Sequence, residues 1–227
     1  MSRLPNFFAP GEWYHCYSRG IDKRKVFENA TDYRRFIELL YLCNTSQSIH
    51  RSDLTSYAHT DIFSISREET IASVGAYALL PNHFHLLLYE KEEGGISTFM
   101  QKLGTAYTMY FNIKRDRSGG LFTKPFRAKH VSEDRYFQHV VNYIHLNPAE
   151  LFEPKWKEGL VTNMDRFFQK MLTYPYSSLA DFEVRQPRPE RAILGKEIFD
   201  VYRYESARKM LEDAREYYTT TNVKASP

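Results

Sequence analysis

Residues 73–89 read SVGAYALLPNHFHLLLY, and the fold turns on how this stretch is read. Two apolar runs, Ser73–Leu80 and His83–Tyr89, flank the dipeptide Pro81-Asn82. A Pro-Asn pair punctuates a chain as a turn, so the runs read as an antiparallel strand pair. Alternate side chains of a strand share a face. His83 and His85 therefore point one way, and Phe84, Leu86 and Leu88 point the other.

Upstream, residues 1–11 read as an irregular arm, and residues 13–18, WYHCYS, as a short aromatic strand. A charged connection carrying Gly20 leads to a helix that Thr31 is expected to cap. This helix runs to about Asn44, with Tyr33, Phe36, Ile37 and Leu40 on its apolar face. Residues 45–70 are polar and aperiodic and read as a loop insertion.

Downstream of the strand pair, Gly94-Gly95 precedes a helix over 96–111. There Ile96, Phe99, Met100, Leu103, Tyr107, Tyr110 and Phe111 recur at helical spacing, which marks Tyr107 and Tyr110 as packing residues. KRDRSGG follows, then LFTKPFRAKHV, a loop and a strand. A last core helix spans about Ser132 to Asn147. Ser132 is its expected cap, Glu133 and Asp134 fall in its first turn, and Asn147-Pro148 stops it. Its buried stripe is Phe137, Val140, Val141 and Ile144.

The order is strand, helix, strand, strand, helix, strand, helix. That is an α+β arrangement, the ferredoxin-like split βαβ with an antiparallel sheet and an extra terminal helix. Residues 1–155 are expected to form one domain. Residues 156–227 form a helical extension ending in a charged helix over about 195–218.

The chain has 227 residues, 42% hydrophobic and 26% charged, the range of an ordinary globular protein. It contains no run of 18 apolar residues, so no membrane span is expected. The opening lacks a basic start followed by an apolar core, so no secretory leader is expected and the expected location is cytoplasmic. Cys16 and Cys43 are too few for a disulfide framework or a cysteine zinc site and read as buried thiols.

Net charge is only +3, but residues 101–130 hold seven Lys and Arg against one acid, Asp116. Aromatic residues make up 15% of the chain. Lys114, Arg115, Arg117, Lys124, Arg127 and Lys129, interleaved with Phe122 and Phe126, suit a nucleic-acid surface. The plain alternative is a solvated basic face, with the phenylalanines in the core.

Two imidazoles on one strand face can bind a divalent metal. Beside the apolar stripe of the last helix runs a second stripe, Tyr136, His139, Tyr143 and Asn147. Tyr143 and Asn147, at i and i+4, are neighbours and can present a phenol and an amide together. His145 lies about 200° around the helix from Tyr143 and is expected to face elsewhere.

PNHFHLLL, GGLFTKPFRAKHV, YIHLNP and YPYSSLADF occur in that order, and together they resemble the REP-associated tyrosine transposases. These belong to the HUH single-tyrosine, IS200-like superfamily. The resemblance spans about residues 12–182 and includes YHCYSRG, similar to the family's first strand. It implies that His83 and His85 are the HUH metal ligands and Tyr143, on the extra helix, the nucleophile. Asn147 matches the polar third-ligand position, often Gln in relatives, with His139 as the runner-up ligand.

The implied metal is Mg²⁺ or Mn²⁺, and the implied partner is single-stranded or hairpin DNA. The implied reaction is nicking and rejoining through a 5′-phosphotyrosine, in a monomer or a homodimer. Arg127 matches an arginine of the family motif. The alternative class is a domesticated hairpin-binding protein that no longer cuts.

Overall fold

A computed structural model describes residues 8–47, 62–67, 69–132, 134–183 and 188–221. Its centre is one four-stranded sheet of β1 (Trp13–Arg19), β2 (Ala72–Leu80), β3 (His83–Glu90) and β4 (Arg127–Val131). The order is β2-β3-β1-β4, and every neighbouring pair is antiparallel. This is the ferredoxin-like order expected above. The hairpin at Pro81-Asn82 joins β2 to β3, and the Pro81 carbonyl accepts from the amides of Val26 and Phe27, fixing the incoming connection.

One face of the sheet lies under α1 (Ala30–Leu42) and α2 (Gly95–Lys114). Tyr14, Cys16, Phe84, Leu86 and Leu88 meet Phe36, Leu40, Phe99, Leu103 and Tyr107 there in a continuous buried core. The opposite face carries α3 (Asp134–Leu146), whose Phe137, Val140, Val141 and Ile144 pack on Trp13, Leu87, Ala76 and Ala78. A β-bulge at Gly75 shifts the alternation of β2, so Val74 and Tyr77 both face the first core. A side chain at Gly75 would begin 2.6 Å from the Trp13 ring, closer than packing allows.

Asn29, not Thr31, caps α1. Its side-chain oxygen accepts from the Asp32 amide at 3.2 Å, and the Asp32 carboxylate accepts from the Glu28 amide at 3.0 Å. This reciprocal pair satisfies two amides and starts the helix before Thr31. The buried Glu90 carboxylate accepts from the Gly94 and Ile96 amides and opens α2. Residue 133 and the side chain of Asp134 lie outside the described residues, as do residues 48–61 and 68 of the 45–70 insertion and residues 1–7 of the arm.

The C-terminal part contains α4 (Ala149–Phe152), α5 (Met164–Leu172), α6 (Leu179–Glu183), α7 (Glu197–Val201) and α8 (Ala207–Thr221). The single charged helix expected over 195–218 is broken in two. Tyr202 leaves the helix, buries its ring against Phe182 and donates its hydroxyl to Asn142 Oδ1 at 2.7 Å. That anchor on α3 outweighs continued helix. Residues 174–178 cover the outer edge of β2: Leu79 N donates to Tyr176 O, and Ser178 N to Tyr77 O. Cys16 and Cys43 are buried free thiols. Among the described residues no helix is long and apolar enough to cross a membrane.

Candidate active site

The face under α3 displays Trp13, His15, Tyr17 and Arg19 of β1 beside His83, His85 and Leu87 of β3. Tyr17 pairs with His85 and Arg19 with His83 in the antiparallel register. His85 is the centre, only 5% exposed. Ring centroids of His15, His83, Tyr17 and Tyr143 stand 5.0, 5.1, 5.5 and 5.7 Å from its own. Tyr143 meets His85 at 86° and His15 at 73°. The tyrosine and the strand histidines thus come together within one chain.

Each strand histidine has its Nδ1 engaged. His83 Nδ1 lies 2.6 Å from Asn82 Oδ1, and His85 Nδ1 lies 2.9 Å from His15 Nε2. A carbonyl oxygen only accepts, so His83 donates from Nδ1 and keeps its lone pair on Nε2. Burial lowers the pKa of His15 and His83 to about 4, helped by Lys129 and Arg19 respectively. Burial lowers His85 well below its ordinary value, and His15, His83 and Arg19 add to the effect. All three rings are neutral at pH 7, the form in which imidazole ligates. Burial raises the pKa of the Tyr143 phenol, and the Asn147 amide pulls the other way.

Asn147 Nδ2 donates to the Tyr143 carbonyl at 2.8 Å, so the two residues sit one turn apart as expected. His139 is exposed and lines, with Tyr143 and Asn147, a cavity of about 170 Å³ whose far wall includes Trp156 and Met210 of the extension. His145 faces away, buried against Ser178 Oγ at 2.9 Å. Among the described residues no three His, Cys, Asp or Glu stand close enough to hold an ion. The donor set is therefore two imidazoles and, at most, a neutral amide. Such a set fits a divalent ion with several positions left for phosphate oxygens and water.

The six cations expected to bind DNA lie in two groups along the chain, on β4 with its preceding loop and at the end of α2. Arg127 and Lys129 lie exposed on β4, opposite Tyr17 and His15, and Lys124 is exposed in the preceding loop. The Lys129 ammonium lies 4.6 Å from the Tyr136 ring centre. Lys114 and Arg115 close α2, and Arg117 follows in the loop that leads to β4. Lys114 pairs with the buried Asp32 and Arg115 with Glu28. Arg117 donates to Asn112 Oδ1 and Gly120 O. Phe122 is buried against Phe84 and Phe36, a core residue rather than a base platform, and Phe126 stacks on Phe8. Tyr107 is buried and donates to the Val26 carbonyl, as its spacing implied.

Three residues of the site were assigned no role from the sequence: His15, Tyr17 and Arg19. Their signal was present in WYHCYSR, where they recur with the same period of two as His83 and His85. Arg19 Nε is buried and has no hydrogen-bond partner among the described residues.

Comparison with known proteins bears on this geometry. Residues 13–147, more than half of the chain, match the family model described as "Transposase IS200 like". No curated protein matches. A solved structure of a REP-associated tyrosine transposase bound to a REP hairpin aligns with a TM-score of 0.50 at 13% identity, covering 90% of this chain and 99% of that one. The likeness to that structure shows a shared fold. The matched residues run from the first strand through the strand histidines to Tyr143 and Asn147, and the chain belongs to the IS200-like transposase family.

Proposed function

We propose that this transposase nicks and rejoins single-stranded DNA beside a hairpin, with Tyr143 as nucleophile and His83 and His85 as the metal-binding pair. One observation carries the reading: the Tyr143 ring meets the His85 ring edge-on, 5.7 Å between centroids, with His83 alongside. The REP hairpin held by the structural neighbour supports hairpin DNA as the partner.

The phenol of Tyr143 gives up its proton to water and its oxygen attacks the scissile phosphorus. A tyrosine–phosphorus bond forms, the bond to the 3′ oxygen breaks, and that oxygen takes a proton from water. The phosphotyrosine conserves the energy of the cleaved bond, so a later 3′-hydroxyl reverses the step and joins strands. A divalent ion bound at His83 and His85 supplies polarisation and charge neutralisation at the phosphate. Imidazole donors favour Mn²⁺ over Mg²⁺. Asn147 completes the donor set or orients the phenol. Arg127 and Lys129 hold phosphates on the same face, and Lys124 extends their reach.

The test mixes the protein with labelled hairpin oligonucleotides and Mn²⁺ or Mg²⁺ and resolves the products on a denaturing gel. A protein-linked band is expected, absent with EDTA and absent in Tyr143→Phe. Cleavage without a linked band would replace the tyrosine with water as nucleophile. Binding with no cleavage across several hairpins would make the chain a DNA-holding descendant.

A further inference from the structure

We propose that His15 is a positioning residue that holds the His85 ring in the tautomer able to bind a metal ion. The inference rests on the metal-binding role of His83 and His85 proposed above.

His15 Nε2 and His85 Nδ1 are 2.9 Å apart, both rings are buried, and one proton lies between the two nitrogens. Two arrangements satisfy that bond. In the first, His85 donates from Nδ1 and keeps its lone pair on Nε2, ready to ligate. In the second, His15 donates, His85 carries its own proton on Nε2, and the ring cannot ligate through that atom. Free neutral imidazole prefers the second form. An acceptor on Nδ1 is therefore needed to make His85 a ligand through Nε2.

His83 has the same device in simpler form, with Asn82 Oδ1 accepting from Nδ1 at 2.6 Å. The two acceptors come from different places. Asn82 belongs to the hairpin turn immediately before His83. His15 pairs with Leu87 and reaches His85 diagonally across the β1–β3 ladder. With its Nε2 turned to His85, His15 serves the second ring instead of adding a third ligand. As the His85 ring gives up its Nε2 lone pair its Nδ1–H becomes a stronger donor, so the bond to His15 and ligation reinforce each other.

The test has two arms. Selective ¹⁵N-histidine NMR of the metal-free protein reads the tautomer of His85 directly, with His85→Gln assigning the signal. The Nδ1–H form is expected in wild type. Mn²⁺ affinity is measured by calorimetry on folded wild type, His15→Phe and His15→Gln, with His83→Ala as the control for the site. His15→Phe should weaken binding by about 10–100-fold. His15→Gln, which places an amide oxygen near the Nε2 position, should restore it to within a few-fold.

An Nε2–H tautomer in wild type, or His15→Phe binding as tightly as wild type while His83→Ala does not bind, overturns this proposal and leaves the metal site standing. Wild type that binds no Mn²⁺ overturns the metal reading itself and this role with it.

Discussion

The two faces of the sheet are built from alternate residues of the same strands, and they have opposite chemistry. Tyr14, Cys16, Phe84, Leu86 and Leu88 point into a closed core under two helices. Their immediate neighbours in sequence, His15, Tyr17, His83 and His85, point to the face on which α3 packs. A one-residue slip of β3 would bury imidazoles in the core and expose leucines at the site. The oily face thus holds the reactive face in register: burial of Phe84, Leu86 and Leu88 fixes where His83 and His85 point.

Adjacent substitutions break this comparison most sharply. His85→Ala should abolish nicking and Mn²⁺ binding while the fold persists. Leu86→Ala, one residue on, should cost about 2–5 kcal/mol of stability through an unfilled cavity, with nicking per folded molecule unchanged. Chemical denaturation and single-turnover nicking measure the two effects. If Leu86→Ala lost activity without losing stability, the division of labour between the faces would be wrong.

The pH profile is next in size. Burial raises the Tyr143 pKa above its ordinary value, so the phenol is protonated at neutral pH and its ionised fraction grows as pH rises. At saturating metal, the single-turnover nicking rate should climb by up to about tenfold per pH unit between about pH 7 and 9. A flat profile would mean that the phenol's deprotonation does not limit the reaction.

Charge should divide between the faces in the same way. Arg127→Ala or Lys129→Ala should weaken hairpin binding and lower the slope of log affinity against log salt by about 1 each. Lys114→Gln should leave that slope alone. It should instead cost about 1–3 kcal/mol by taking a partner from the buried Asp32 carboxylate. Equal salt slopes for all three variants would put the α2 cations on the DNA surface after all. The smallest effect is at the start of α1. Asn29→Ala should cost about 1 kcal/mol and Thr31→Ala far less, with nicking unaffected by either.

Much of the architecture was legible because it rests on period. The alternation of HFHLLL placed both histidines on one face, and the i, i+4 spacing put Asn147 beside Tyr143. Asn29 and Thr31 are both good caps, and only the reciprocal bonds with Asp32 decide between them. The break at Tyr202 follows from a long-range anchor on Asn142 that no local pattern reveals. Lys114, Arg115 and Arg117 read as one basic stretch with Lys124, Arg127 and Lys129. Only the acids from distant segments, Asp32 and Glu28, show that Lys114 and Arg115 are paired within the chain. The period of WYHCYSR gives the face of His15, but not its contact with His85 across 70 residues.

Two tyrosines stand almost equally close to His85, Tyr17 at 5.5 Å and Tyr143 at 5.7 Å between ring centroids. The most direct test of the account is therefore to digest the covalent protein–DNA product with protease and nuclease and to locate the nucleotide by mass spectrometry. The account requires the nucleotide on Tyr143. A nucleotide on Tyr17, or on any residue outside α3, would contradict it.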